Sequence, residues 1–475
     1  AVGGWVMGPD TLRGISPIQV KDLFALPAMN DYLTTVKVPA GTILRTGTAG
    51  PIAGWGDGGG QQILLISRLP IENYQQQRPL VEQNLFFSNL VYKGNPGNMA
   101  AYLDNLPPPE PFSDWGVVNL LLGYLPNTPL TRALNQIGPE RYDTLTRIDI
   151  QNIAQFNSNL LGRRCTFQPL PFNSAKTEIS AKGKPTGQGN PLSSESRQGD
   201  LSLWGKALGS WGRQDSSADH LGYAYQSGTI LAGAEKKWGE RLLIGSGIGL
   251  SRTGFSWDDN LGDGNMTQIN LGLYGSASAP PYFVDAILSG GFRKAEVSRV
   301  IRFPGVDRRA ASSPDGYNLA AGIDGGLNKR IDRWDIEPLV RMNLIYIRQN
   351  ALSENGAESL NLNVDQITSW TWQGEFGVRV SRTDSLDQGL KITSALWLGF
   401  GYQTPLDNRE IKASFIGQQG YFSVNGYSNT SCGFLPRLGI IAQGWGKTSL
   451  FLNYAGDYRS DFISHSLNAG LQVSF

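Results

Sequence analysis

The chain is short of the residues that build metal and disulfide centres. Two cysteines, Cys165 and Cys432, and two histidines, His220 and His465, among 475 residues exclude a zinc cluster, a multi-His metal site and a disulfide scaffold. A single Cys165–Cys432 cross-link stays open in an oxidising compartment, beside the reading of two unpaired small hydrophobes. Charged side chains are only 17% of the chain, and 41 basic residues interleave with 40 acidic ones for a net charge of +1. With no basic face, a nucleic-acid partner is set aside. No apolar run reaches the roughly 18–20 residues of a transmembrane helix, since the best candidate, Val117 to Leu125, is about half that long. A helical membrane protein is excluded. A membrane β-barrel is not, because its lipid-facing residues alternate with polar interior ones and leave the mean hydropathy, here −0.24, near a soluble protein's. No basic then apolar leader follows Ala1, so any export signal is expected to have been removed or to lie upstream.

What is abundant points to β-structure: 59 glycines and 10% aromatics. The length exceeds the roughly 100–200 residues of one domain, so two or three units are expected. Residues 1–112 hold Gly/Pro turns and short apolar runs, Thr35 to Arg45 and Gly60 to Ile66, and read as a small β-rich unit. Ser16-Pro17 predicts one helix start there, with a hydroxyl cap ahead of a proline. Pro107-Pro108-Pro109 and Pro111 form a stiff break. In the segment 113–164 the period turns helical, with Leu130, Leu134, Ile137, then Tyr142, Leu145, Ile148, Ile153, Phe156 and Leu160 at three- to five-residue spacing. Residues 165–198, in which Ser174 to Arg197 is rich in Ser, Gly, Lys, Gln and Pro, read as a linker expected to lie partly in the pore of the barrel that follows.

From 199 to 475 the period is two. Leu319, Ala321, Ile323 and Leu327 alternate with Asn318, Gly322, Asp324 and Asn328. Ile336, Val340, Met342, Leu344 and Tyr346 likewise alternate with Asp335, Glu337, Arg341 and Asn343. A soluble β-sandwich shares that period. Three features favour a barrel: strands of about 12–16 residues, where soluble ones usually run 3–10; an apolar parity ending in aromatics such as Trp334, Tyr346, Tyr402 and Phe475; and connections that alternate short and long. The strands expected are Asp200–Arg213, Gly222–Lys237, Leu242–Thr253, Asn265–Ser278, Tyr282–Glu296, Tyr317–Lys329, Trp334–Arg348, Gln366–Arg382, Leu390–Tyr402, Asn429–Gln443, Thr448–Tyr458 and Phe462–Phe475. Val297–Gly316, Gln349–Asp365 and Gln403–Ser428 read as long loops. The fold class is therefore all-β, an antiparallel outer-membrane barrel of about twelve strands behind a helical segment, and an even count suits a bacterial barrel. Leu467, Ala469, Leu471, Val473 and Phe475 alternate up to a terminal aromatic.

Four stretches resemble the translocator of bacterial autotransporters, the type V secretion family. Leu203-Trp204-Gly205-Lys206 with Gly209-Ser210-Trp211-Gly212 is similar to its first barrel strand, and Ser227 to Gly233 with Ile244 to Gly249 to the next two. Leu450 to Tyr458, His465 and Phe475 resemble its last hairpin, and Ala133 to Glu140 with Leu160 to Arg163 its helical segment before the barrel. The resemblance covers about residues 113–475. It implies an outer-membrane barrel whose preceding segment fills the pore and continues to a passenger at the cell surface. It also implies that Leu467, Ala469, Leu471, Val473 and Phe475 are read by the barrel assembly machinery. The partners expected are outer-membrane lipid, that machinery and the chain's own passenger, and a monomer is expected. Some family members cut the passenger inside the pore at an Asn-Asn pair, a dipeptide this chain lacks, so that cut is not expected.

Pore-lining candidates are Arg293, Asp324, Glu337, Arg341, Glu375 and Arg379, charges on the polar parity that could hold a polar segment in the lumen. The plainer reading is that each only solvates a water-filled interior. No catalytic residue, metal or cofactor is expected: there is no Gly-x-Ser-x-Gly, no histidine in residues 1–112, and Gly58-Gly59-Gly60 lacks the Lys-Ser/Thr of a phosphate loop. Two other functions compete with export: a passive channel plugged from the periplasm, and an adhesin or enzyme whose active part is the passenger.

Overall fold

A computed structural model describes the chain except residues 1–4, 9–10, 12–15, 31, 68, 80–86, 110–112, 124, 164–200, 240, 387–388 and 446. Near the N-terminus β1 (Trp5–Val6), β3 (Leu44–Thr48) and β4 (Gln61–Leu65) form a sheet in the order β1-β4-β3, and β2 (Tyr32–Val36) pairs with β5 (Tyr74–Pro79). Helix α1 (Pro17–Leu23) starts at Ser16 with a reciprocal cap: Gln19 N donates to Ser16 Oγ at 3.3 Å, and Ser16 N donates to Gln19 Oε1 at 2.7 Å.

Helical structure resumes before the proline break. α2 (Phe87–Leu90) and α3 (Gly94–Asp104) lie in the stretch read from sequence as β-rich; α4 (Asp114–Gly123), α5 (Asn127–Ile137) and α6 (Asp143–Leu160) follow. In α5 the buried residues Leu130, Ala133, Leu134 and Ile137 recur at the 3–4 spacing of one helix face. α3 has no such clean stripe, because Gly97, Met99, Ala100, Tyr102 and Leu103 are buried on several sides. The linker 165–198 and Cys165 lie outside the described residues. Cys432 is a free, exposed thiol.

The barrel starts with β6 (Leu201–Gln214), β7 (Tyr223–Trp238), β8 (Leu242–Trp257), β9 (Gly262–Ala279) and β10 (Tyr282–Phe303). It continues, after the hairpin arm β11 (Val306–Ser312), with β12 (Asp315–Leu327) and, past the short β13 (Lys329–Ile331), with β14 (Trp334–Gln349). Short strands β15 (Leu352–Ser353) and β16 (Leu362–Val364) precede β17 (Ile367–Ser385) and β18 (Lys391–Pro405). Then β19 (Glu410–Phe415) and β20 (Phe422–Asn425) precede β21 (Ser431–Trp445), β22 (Thr448–Arg459) and β23 (Phe462–Ser474). Twelve of these strands, all but β11, β13, β15, β16, β19 and β20, pair antiparallel and close when β23 joins β6 over Phe462–Ser474. Phe475 N donates to Leu201 O at 2.9 Å, so both ends of the barrel segment meet at one rim.

Alternation holds through the wall. Leu319 and Ile323 are about half exposed, while Asn318 and Asp324 are 2% exposed. The outward faces carry Leu, Ile, Val and Phe, and the inward faces carry glycine, hydroxyls, amides and ion pairs. Outward apolar side chains and an inward polar lining are the inverse of a soluble two-layer core.

The opposite rim departs from the sequence reading. β10 runs to Phe303 and turns back at Gly305 (φ 83) into β11, where a loop was expected from Val297 to Gly316. Alternation fails there because Arg299, Val300 and Ile301 are all buried: this part of the wall is covered on both faces. The other two long loops, Gln349–Asp365 and Gln403–Ser428, supply β15, β16, β19 and β20, a four-stranded sheet over the rim. Two connections at this rim are short, Asp258–Leu261 and Ser460–Asp461, where longer ones were expected.

Candidate functional site

Helices α2–α5 sit on that second rim and share one apolar core with the loop sheet and the wall. Its members include Leu134, Ile137, Tyr142, Leu145, Ile301, Leu360, Ile411 and Phe415. Tyr102 packs on Phe422 at 4.7 Å and Trp115 on Phe415 at 5.3 Å between ring centroids. Burying side chains of this size contributes about 1.5–3 kcal/mol each, which makes the cap part of the same folded body. Polar locks reinforce it. Arg299 makes a bidentate pair with Glu354 (2.8 and 2.5 Å) and donates to Gln136 O at 2.7 Å. Tyr142 Oη donates to Glu354 at 2.7 Å. Arg141 Nη1 donates to Leu261 O at 2.7 Å and to Val300 O at 2.9 Å. Arg308 holds the Asp114 carboxyl well below the usual carboxylate range. Burial pushes Glu140 up to about 7 despite Arg141 beside it.

From this cap α6 descends through the barrel. At its top Arg409 Nη2 pairs with Asp143 at 2.6 Å and Tyr427 N donates to Asp143 at 2.9 Å. Midway Asn152 Nδ2 donates to Thr253 (3.3 Å) and Gln268 (3.2 Å), Asp149 pairs with Arg293, and Ser289 Oγ donates to Asn157 Oδ1 at 2.7 Å. At the far rim Arg163 pairs with Glu235 at 2.8 Å, donates to Gln472 at 3.1 Å and stacks over Trp204 at 4.4 Å. The helix thus spans the lumen from the loop rim to the rim where β6 begins. Glycines let it approach the wall. A Cβ on Gly249 would stand 2.9 Å from Phe156, and one on Gly272 2.9 Å from both Phe156 and Leu160.

The other side of the lumen is open, a cavity of about 310 Å³ between α6 and the wall from β12 to β23. Five of the six pore-lining candidates, Asp324, Glu337, Arg341, Glu375 and Arg379, face it. Arg341 pairs with Asp324 at 2.6 Å and with Glu375 at 3.6 Å, and Arg437 reaches Glu375 at 2.7 Å. Arg379 pairs with Glu337 at 3.0 Å. The sixth, Arg293, is 3% exposed and bonded to α6 rather than to the cavity. Sequence reasoning missed Asp149, Arg163, Glu235 and Arg437. Glu235 and Arg437 stand on the inward parity of their strands and could have been found there, whereas Asp149 and Arg163 carry no sign of which wall they meet. Of the C-terminal residues, Leu467 and Leu471 point outward about half exposed, and Phe475 is 55% exposed at the rim.

A family model described as Autotransporter beta-domain matches residues 203–455. Two curated relatives, each an extracellular serine protease of Serratia marcescens, are 23% identical over 297 residues and 24% over 302, covering 61% and 60% of this chain. The chain spans only 27% of the length of each. Among solved structures, the translocator domain of the autotransporter NalP from Neisseria meningitidis aligns over 59% of this chain and 90% of its own (18% identity, TM-score 0.47). The β-domain of the Bordetella autotransporter Brka aligns over 58% and 100% (19% identity, TM-score 0.45).

Proposed function

The chain belongs to the autotransporter family, with an outer-membrane β-barrel translocator as its C-terminal part, and on that premise we propose that it exports a passenger and then keeps the passenger's last helices as a plug and cap. The observation that carries this reading is the course of α6, from a cap on the loop rim to the rim where β6 starts. With short turns and barrel ends in the periplasm, residues 1–142 stand at the cell surface, while residues 143–163 fill the pore. The division into a proximal passenger unit (1–112), a helical segment (113–164), a linker (165–198) and the barrel (199–475) is part of the proposal, with the refinement that residues 87–142 work as the cap. The ion pairs at Arg341 and Arg379 keep the open half of the lumen hydrated and polar. The alternation from Leu467 to Phe475 serves as the assembly signal, and the chain works as a monomer.

Any enzymatic activity belongs to the passenger. The serine-protease names of the relatives support such a passenger. Among the described residues His465 is bonded to Tyr454 (2.8 Å) and His220 rests on Tyr427, so neither is placed as the base of a Ser-His pair. A protease site placed at Pro107–Pro109 tests the export reading on intact cells. Cleavage by added protease is expected; full protection would instead favour a channel plugged from the periplasm.

A further inference from the structure

Outside the pore, three neighbouring strands change character at the same step. Leu250, Ile269 and Phe292 form one outward row across β8, β9 and β10, all exposed, with Phe292 74% so. The next outward row toward the loop rim is Arg252, Thr267 and Lys294: Arg252 is registered against Thr267, and Thr267 against Lys294. All three are exposed, and among the described residues none of their side chains has a hydrogen bond or ion pair. Two strand spacings separate the cations by about 10 Å with a hydroxyl between them. Elsewhere the same border is aromatic, at Tyr346, Trp370, Tyr402 and Tyr458, and its other arginines are engaged. Arg213 pairs with Asp258 at 3.0 Å, and Arg348 lies over the Tyr317 ring. The nearest outward acids, Glu296 and Asp315, form no ion pair with Lys294 among the described residues; Asp315 accepts from Asn350 Nδ2 at 3.3 Å.

We propose that Arg252, Thr267 and Lys294 bind the phosphate groups of an outer-leaflet glycolipid whose acyl chains lie on Leu250, Ile269 and Phe292. A cation at the edge of the hydrocarbon band is tolerated there and gains a charge-assisted bond when an anion meets it. Phosphate oxygens accept from guanidinium, ammonium and hydroxyl donors together, and charge-assisted bonds of this kind are the strong ones. A phosphorylated glycolipid offers both parts of the footprint at the required depth, with its phosphates at the interface and its chains below. The site rests on the orientation proposed above, in which the loop rim faces outward.

The test uses the purified full chain and native mass spectrometry with a bisphosphorylated, acylated glucosamine disaccharide, beside the same glycolipid with its phosphates removed. The parent chain is expected to bind the phosphorylated form at least tenfold more tightly. Arg252→Gln with Lys294→Gln abolishes that preference, whereas Lys236→Gln with Lys329→Gln, exposed cations at the opposite rim, preserves it. Binding by the first pair within twofold of the parent, or no preference in the parent, overturns the site. A loss confined to the second pair overturns it by placing the glycolipid leaflet at the wrong end. Protease cleavage at Pro107–Pro109 in cells reports on the orientation independently.

Discussion

Two halves of one barrel wall meet the same lumen and solve different problems. From β7 to β10 the inward face is cut back to Gly247, Gly249 and Gly272, and α6 packs Phe156 and Leu160 into the space. From β12 to β22 the inward face carries Asp324, Glu337, Arg341, Glu375, Arg379 and Arg437, which pair with one another around a cavity. Both halves obey the same two-residue alternation, and both keep apolar side chains on the outside. What differs is the partner: a helix on one side, an open cavity on the other. Inward residues therefore report what a stretch of wall touches, while outward residues report only the membrane.

Breaking the helix-bearing half should cost most. Asp149→Ala strands Arg293 in a site 3% exposed, and removing one partner of a buried pair costs about 3–5 kcal/mol. The expected result is loss of α6 from the pore, read as a large rise in single-channel conductance. Next comes Gly249→Leu, which overfills the contact with Phe156 at about 1–3 kcal/mol. Ala455→Leu, facing the cavity, is the matching substitution on the open side, and equal destabilisation of the two by thermal unfolding would erase the distinction. The cap gives a pH test. Glu140 is neutral in the folded cap up to about pH 7 but ionises near 4.5 when exposed, so its folded pKa is raised. Its contribution is present below about pH 4.5 and is lost as pH rises through 7. Glu140→Gln should flatten that dependence and stabilise the cap at pH 8 by up to about 3 kcal/mol, at 1.36 kcal/mol per pKa unit, as measured by protease resistance of residues 87–142. The smallest effect is expected on the open half. Arg437→Gln leaves Glu375 with Arg341 at 3.6 Å and should cost less than about 1 kcal/mol in thermal unfolding of the barrel.

The barrel was legible in the sequence because each strand writes its environment twice, once on each parity. Leu319 to Leu327 against Asn318 to Asn328 needed no knowledge of neighbours. At the loop rim that code fails. Arg299, Val300 and Ile301 are covered from both sides, so β10 runs seven residues past the expected Glu296 to Phe303. The helices α2 and α3 were hidden for a related reason: α2 is a single turn, and in α3 Gly97 and Tyr102 are buried beside Met99, Ala100 and Leu103, so the buried arc is too wide to read as one stripe. In the lumen, parity identified Asp324 and Arg341 as inward, but only the fold brings Asp149 to Arg293 and Arg163 to Glu235, across 144 and 72 positions of chain.

Helix α6 occupies the pore beside β10. In cells producing a chain with Cys165→Ser and Cys432→Ser, the pair Asn157→Cys and Ser289→Cys replaces side chains that meet at 2.7 Å. Mild oxidation should join them in nearly every folded molecule, detected as one cross-linked tryptic peptide pair from outer membranes. Folded, membrane-inserted barrels that leave both thiols free would contradict a helix held in the lumen.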